Sequence, residues 1–153
     1  MRFIVAQVCG SIVLFSMLIG VHFKTKEKIL LSSIIANIAA ILQFMLLSAI
    51  TGMYTSILNT IRCIVFYQYK KKDLKPSLII LLIFEIVTII TGILTWQDVF
   101  SIFPIIGTFI YTYGLWQDNV KIIRLTSAIV AVSWIAYDIS VKALVDMEQK
   151  ASQ

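Results

Sequence analysis

Apolar residues run along this chain in blocks of roughly membrane-spanning length, and short polar stretches separate the blocks. A helix needs about 20 residues to cross a hydrocarbon layer about 30 Å thick. The runs lack the alternating pattern that is typical of membrane β-strands. We therefore predict an all-α integral membrane protein with six transmembrane helices, at residues 3–23, 29–50, 54–69, 77–95, 100–115 and 122–141.

The third and fifth predicted helices are short, and both are rich in hydroxyl and aromatic side chains. Tyrosine and tryptophan are favoured at the two membrane–water interfaces. We expect both helices to extend into those interfaces beyond their apolar runs.

The composition supports a membrane location. Of the 153 residues, 59% are hydrophobic and 14% are charged, and the mean hydropathy is +0.94. A soluble domain has about 25% charged and about 45–50% apolar residues. A chain with so few charged side chains cannot cover its apolar surface with a water-facing shell, so the lipid bilayer is its expected surrounding.

Lysine and arginine residues indicate the orientation, because short cytoplasmic loops carry an excess of them. The loops after the first, third and fifth helices hold nine: Lys24, Lys26, Lys28, Lys70, Lys71, Lys72, Lys75, Lys121 and Arg124. The opposite side holds Arg2, Lys142 and Lys150. We expect the nine-residue face to be cytoplasmic, with the N-terminus outside and, for six spans, the C-terminus outside. Topology thus explains the net charge of +5, and we expect no nucleic-acid partner.

Two ionisable residues lie inside predicted helices. Arg62 stands eight residues before Lys70, about 12 Å from the lysine-rich end, and Glu85 stands nine residues after Pro76, about 13.5 Å from the same end. An ionised residue near the bilayer centre costs roughly 2.5–3.5 kcal/mol unless a partner or a water-filled cavity receives it. Matching depths on consecutive antiparallel helices predict that Arg62 pairs with Glu85.

Each of these residues belongs to a polar stripe on one face of its helix. The stripes consist of Thr55, Asn59 and Arg62 on the third helix, and of Glu85, Thr88, Gly92 and Thr95 on the fourth. Two interpretations stay open. The stripes either form a buried tether that locks the two helices together, or they form a wall of a solute cavity.

Four segments together resemble the YgjV family of bacterial inner membrane proteins: "AQVCGSIVLF", "SILNTIR", "FPIIGTFIYTYGLW" and "RLTSAIVAVSWIAYD". The resemblance implies a multi-pass protein of the bacterial cytoplasmic membrane. It also implies an architecture similar to SWEET and SemiSWEET sugar transporters, in which a linker helix joins two three-helix repeats. It supplies no substrate.

The chain divides accordingly into a three-helix unit at 1–72, a linker helix at 73–97, and an incomplete second unit at 98–153 with a short polar tail. When Gly10 is placed on Gly107, small residues coincide at several positions of the two units. One helix separates the units, so the repeats are expected to be parallel. The final stretch, "SVKALVDMEQKASQ", stands where a seventh helix is expected.

Three explanations of the incomplete second unit stay open: a natural truncation, a fragment, or a divergent member that dimerises to fill the gap. Exposed small residues on the fifth and sixth helices favour self-association. A homodimer is therefore a possible partner state.

The resemblance suggests cavity residues by analogy, because an asparagine on the third helix and an indole are groups that hold a sugar. The substrate-cavity candidates are Asn37, Asn59, Arg62, Glu85, Thr108, Tyr111 and Trp134. Pro104 is the hinge candidate in the fifth helix. The alternative for each residue is structural, since polar side chains commonly bridge transmembrane helices.

No nucleophile–base pair, metal-ligand spacing or glycine-rich phosphate loop is visible, so we expect no enzyme, cofactor or metal site. Two hypotheses remain for the function. One is a facilitative carrier that moves a small polar solute by alternating access at a midplane cavity. The other is a non-transporting membrane protein that acts through helix packing or oligomerisation.

Overall fold

The computed structural model describes residues 1–152, which form six α-helices and no strand. The helices are α1 (Arg2–His22), α2 (Lys26–Leu46), α3 (Ile50–Lys71), α4 (Leu78–Leu94), α5 (Ile102–Trp116) and α6 (Val120–Ala151). A 3₁₀ turn, Val99–Ser101, leads directly into α5. The prediction of an all-α protein is confirmed, and each of the six predicted segments coincides with one helix.

Several of these helices meet the length and hydropathy needed to cross a membrane. Within the described residues there are four: α1, α2, the 3₁₀ turn together with α5, and α6. The helix α4 is equally apolar in character but shorter, with 17 residues. The helix α3 has 22 residues and carries the polar stripe and the lysines of its last turn. The chain is thus a multi-pass membrane protein.

Three helix ends differ from the prediction by four residues or more. The helix α2 ends at Leu46 rather than 50, α3 begins at Ile50 rather than 54, and α6 continues to Ala151 rather than ending at 141. The predicted polar tail is therefore mostly a helical extension of α6. An apolar run shows only which part of a helix lies in lipid. The extension beyond it is rich in Ala, Leu, Met, Glu, Gln and Lys, which have high helix propensity and continue the helix into water.

Five helices form a ring. Around it, α1 packs beside α2, α2 beside α3, α3 beside α5, α5 beside α6, and α6 returns to α1. The helix α4 lies outside this ring against α3 and α5. Helices that are distant in the sequence therefore face each other across the interior, and α3 and α5 are in direct contact.

An aromatic cluster joins α2 and α6 at the side of α3. The ring of Phe44 lies 5.6 Å from that of Trp134 and 5.4 Å from that of Tyr137. Gly52 of α3 donates a main-chain hydrogen bond to the Tyr137 hydroxyl over 3.1 Å. A Cβ atom at Gly52 would lie 2.7 Å from the Tyr137 ring, so this approach requires glycine.

The lysine-rich loops meet at one end of the ring, as the charge distribution predicted. Asp118, between α5 and α6, lies 3.4 Å from Lys26 Nζ and 3.3 Å from Lys70 Nζ. Arg124 donates to the main-chain oxygen of Phe23 over 2.8 Å. The three loops thus share one face of the protein. The assignment of this face to the cytoplasm stays a prediction.

Candidate functional site

A cavity of about 460 Å³ lies inside the ring, between α1, α2, α3, α5 and α6. This volume is in the range of small-molecule sites, about 300–1,000 Å³. Six of the seven predicted cavity residues line it: Asn37, Asn59, Arg62, Thr108, Tyr111 and Trp134. Residues from five helices, spread over most of the chain, therefore converge on a single space.

The polar stripe of α3 faces this cavity and α5. Asn59 and Arg62 are 3% and 1% exposed. The Asn59 amide Nδ2 donates to the Thr108 hydroxyl over 3.2 Å. Arg62 Nη1 donates to the Thr108 main-chain oxygen over 3.1 Å and to the Thr112 hydroxyl over 2.6 Å. One turn of α5 thus holds both side chains of α3 in place.

Several buried polar atoms at this site have no partner among the described residues. They are Asn59 Oδ1, Arg62 Nε and Arg62 Nη2. An unsatisfied buried polar group costs about 1–3 kcal/mol, and more when it is charged. The Arg62 guanidinium carbon lies 5.2 Å from the centre of the Tyr111 ring. The face of an aromatic ring attracts a positive charge at this distance.

The predicted ion pair between Arg62 and Glu85 is not formed. Among the described residues no carboxylate oxygen lies within 4.0 Å of Arg62, whose guanidinium is held by Thr108 and Thr112 instead. The prediction considered consecutive helices, whereas α3 also packs on α5 and finds hydroxyl and carbonyl acceptors there at the same depth. Glu85 is 8% exposed and faces inward, but it does not line the cavity.

The opposite wall is built by α2 and α6. Ser33 and the Tyr111 hydroxyl are joined by a hydrogen bond of 2.8 Å. Asn37 is buried, and Trp134 presents its indole between the cavity and the stacked ring of Phe44. The cavity therefore combines two aromatic walls with a few polar groups that converge from α2, α3 and α5.

A second cavity, of about 230 Å³, continues from the first along the seam of α1, α2 and α6. The two share lining residues, among them Asn37 and Trp134. At the second cavity, the Gln43 amide donates to Asp138, and Asp138 pairs with Lys142 over 2.8 Å. Sequence reasoning missed this polar crossing, although the i, i+4 spacing of Asp138 and Lys142 is a signal of an intrahelical pair.

Pro104 lies in the first turn of α5, directly after the 3₁₀ turn, and it is buried. Asp98 caps that turn by accepting from the Ser101 main-chain nitrogen over 3.1 Å. A proline in a first turn removes no helical hydrogen bond. Pro104 therefore marks the junction of two helical segments and leaves α5 uninterrupted, and its role as a hinge stays a prediction.

Comparison with known families gives one match. A family model named Imp-YgjV, described as a bacterial inner membrane protein, matches residues 4–147. The chain belongs to the Imp-YgjV family. No curated protein and no solved structure matches it. The resemblance to the YgjV family is confirmed, and with it the placement of this chain in a bacterial inner membrane, whereas the SWEET-like repeat architecture stays a prediction.

The matched range of this Imp-YgjV protein contains every residue that lines the main cavity. The family description assigns no substrate and no reaction. Any function must therefore be argued from the chemistry of the cavity.

Proposed function

We propose that this Imp-YgjV protein is a facilitative carrier of SWEET-like type for a small polar solute. The solute binds in the main cavity between α1, α2, α3, α5 and α6, and alternating access exposes it to either side of the membrane. The observation that carries the proposal is the pair Asn59 and Arg62, which are buried among spanning helices, line a cavity and keep unpartnered polar atoms.

A purely structural tether would be expected to satisfy its own hydrogen bonds. Hydrogen bonds from Asn59 Nδ2 and Arg62 Nη1 to Thr108 do join α3 to α5. The other polar atoms of each group, Asn59 Oδ1 and Arg62 Nε and Nη2, have no partner within residues 1–152. Ionisable residues within membrane helices commonly mark substrate or ion pathways and face a cavity. A polar solute, with the water that accompanies it, supplies what the tether lacks.

The arrangement of cavities supports a path through the protein. The main cavity reaches Gly20 and His22 near the lysine-rich end. The second cavity continues toward the opposite end, where a further cavity of about 360 Å³ is lined by Arg2, Glu148 and neighbouring residues. The crossing of Gln43 and Asp138 lies along this path. In the proposed carrier it closes one end and opens when the helices on either side move apart.

The carrier proposal includes a movement of two helical units. The pairs α1–α2 and α5–α6 each pack closely, while α1 and α6 have a smaller contact along the cavity seam. Rocking of the first unit against the second would open and close this seam. Pro104, at the start of α5, is the proposed flexing point. A homodimer is compatible with this movement, although Gly107 and Gly114 of α5 are buried within the chain.

The proposal is tested by solute flux into proteoliposomes that contain the purified protein. The Asn59→Ala variant is expected to abolish flux while it reconstitutes to the same level. Gln68→Ala is the matched control, because Gln68 is an exposed amide on the same helix and does not line the cavity. If none of a broad panel of polar metabolites is transported by the wild type, a non-transporting role is supported instead. A changed oligomeric state of Asn59→Ala, without flux in either protein, would support the same role.

A further inference from the structure

We infer that the solute is a small organic acid with a hydroxyl or amino group beside its carboxylate. The carboxylate docks on the free edge of the Arg62 guanidinium, and the neighbouring group donates to Asn59 Oδ1. The binding site stands on the geometry of the cavity, whereas the statement that the acid is carried across the membrane rests on the proposed function.

The unpartnered edge of Arg62 carries the pair of donors that a carboxylate requires. Its nitrogens are enclosed in this structure, so the acid reaches them when the helices around the cavity move apart. Nη1 is occupied by Thr108 and Thr112 of α5, which fixes the plane of the guanidinium. Nε and Nη2 have no partner among the described residues, and these two nitrogens present parallel N–H groups along one edge of the guanidinium, within its plane. Arginine binds carboxylates through such a fork with two hydrogen bonds. The α5 contacts therefore orient a two-pronged donor in advance.

The charge balance of the cavity favours a single negative charge. Arg62 lines the cavity and is 1% exposed, and no acidic residue is among the lining residues of the described chain. A buried cation without an ion-pair partner is costly, so one solute carboxylate that pairs with Arg62 is stabilised.

The free acceptor on Asn59 specifies the second group. Asn59 uses its Nδ2 on Thr108 and leaves Oδ1 unpartnered, so the solute must offer a hydrogen-bond donor there. Asn59 and Arg62 are three residues apart on one face of α3 and line the same cavity, so one small solute can contact both. A 2-hydroxy or 2-amino acid carries a carboxylate and a donor in the smallest volume.

The remaining walls allow an apolar side chain on that acid. Tyr111 and Trp134 border the cavity with aromatic surface, and Ala131 and Val130 lie between them on α6. The hydroxyl groups of Ser33 and Tyr111 are hydrogen-bonded to each other, so they need no hydrogen-bond partner from the solute. We therefore expect selectivity for the acid and its donor rather than for one particular side chain.

Binding is measured by isothermal titration calorimetry on the full chain in detergent, with L-lactate and L-serine as probes. Lactamide and glucose are the neutral comparisons, since they keep hydroxyl donors but lack a carboxylate. We expect saturable binding of at least one acid and none of lactamide or glucose. Arg62→Gln should weaken acid binding by roughly tenfold or more, because a hydrogen bond to a charged group is lost.

Arg124→Gln is the matched control, because Arg124 bonds to Phe23 at the lysine-rich end and does not line the cavity. It should bind the acid as the wild type does. Arg62→Lys should also weaken binding, since lysine keeps the charge but not the fork. If Arg62→Gln does not fold, Asn59→Asp provides the test. Its carboxylate would occupy the free edge of Arg62 from within the chain and exclude the acid.

Acid binding that persists in both Arg62→Gln and Asn59→Asp would overturn the inference. Binding of glucose or lactamide without binding of either acid would also overturn it. The same holds if phosphatidylglycerol or inorganic phosphate binds in an Arg62-dependent way and neither acid binds. Acid binding without flux in proteoliposomes would support this site and refute the carrier. Flux of a neutral solute without acid binding would support the carrier and refute this inference.

Discussion

Arg62 of α3 donates a hydrogen bond to the main-chain oxygen of Thr108 in α5, and the Nη1–oxygen distance is 3.1 Å. Thr108 also accepts from Asn59 through its hydroxyl over 3.2 Å. A single residue of α5 thus fixes the two side chains that line the cavity from α3. The same contact that joins the two helices leaves Nε and Nη2, on the opposite edge of Arg62, without a partner among the described residues.

The first prediction concerns the second acceptor of Arg62. Thr112→Val removes the hydroxyl that accepts from Nη1 over 2.6 Å and keeps the side-chain shape. A hydrogen bond to a charged group contributes about 1.5–3 kcal/mol, so the free energy of unfolding should fall by that amount. The measurement is reversible unfolding of the purified protein in mixed micelles.

Thr60→Val is the control for this change. The Thr60 hydroxyl bonds to the Ser56 main-chain oxygen of its own helix over 2.9 Å and contacts no charged group. Its loss should lower stability by less than the loss at Thr112. Equal effects of the two substitutions would show that Arg62 does not depend on α5.

The second prediction concerns the ion pair that the sequence suggested and the structure does not form. If Arg62 and Glu85 existed to neutralise each other, Arg62→Leu would restore the stability lost in Glu85→Leu. Since Arg62 is bonded to α5, we expect the double variant to be less stable than either single variant. A double-mutant cycle measures the coupling directly. Recovery of the double variant would establish a direct pair in the membrane.

The membrane helices were predictable because lipid imposes a length and a polarity that a single sequence displays. The same pattern indicated which face of α3 and α4 turns inward, and Asn59, Arg62 and Glu85 are all buried. The depth of Arg62 was readable for the same reason, since residues along a helix rise by a fixed distance. These properties depend on local sequence and on the surrounding solvent.

The partners across the interior were not predictable in the same way. Arg62 bonds to Thr108 and Thr112, which are about 50 residues away and on a helix that does not follow α3 in the chain. The choice between α4 and α5 depends on how six helices pack, and periodicity contains no such information. The end of α6 was missed because apolarity defines the buried part of a helix and not its full length.

The third prediction concerns pH and the lysine-rich end. Partial burial alone would raise the pKa of Asp118, but Lys26 and Lys70 outweigh it and hold that pKa below its ordinary value of 3.8. A lowered pKa means that Asp118 stabilises the folded protein above its unfolded-state pKa, and that this stabilisation is lost as the pH falls through the folded-state pKa. Asp118→Asn should therefore lower stability at neutral pH, and this difference should vanish in strong acid.

The carboxylate is 49% exposed, so water screens the pair and the effect should be modest, about 0–1 kcal/mol. Stability of both proteins is measured between neutral pH and about pH 2, well below the ordinary carboxylate pKa of about 3.9. Asp73→Asn is the control, because Asp73 lies in the loop after α3 and forms no ion pair among the described residues. A difference for Asp118→Asn that stays constant with pH would contradict the role of the two lysines.

The fourth prediction concerns the contact between α5 and α6. A Cβ atom at Gly114 would lie 2.1 Å from the Thr126 hydroxyl oxygen and 2.8 Å from its Cβ atom. The Thr126 Cβ atom is fixed to the backbone of α6, so Gly114→Ala must push the helices apart and should cost about 1–3 kcal/mol, as overpacking does. Gly107→Ala is the matched control on the same face of α5, two turns earlier, where the nearest atom would lie at an ordinary 3.5 Å. Because alanine has the higher helix propensity, by about 1 kcal/mol, Gly107→Ala should keep or raise the stability that Gly114→Ala lowers. Equal thermal stability of the two variants would mean that α5 and α6 are not packed at this distance in the membrane.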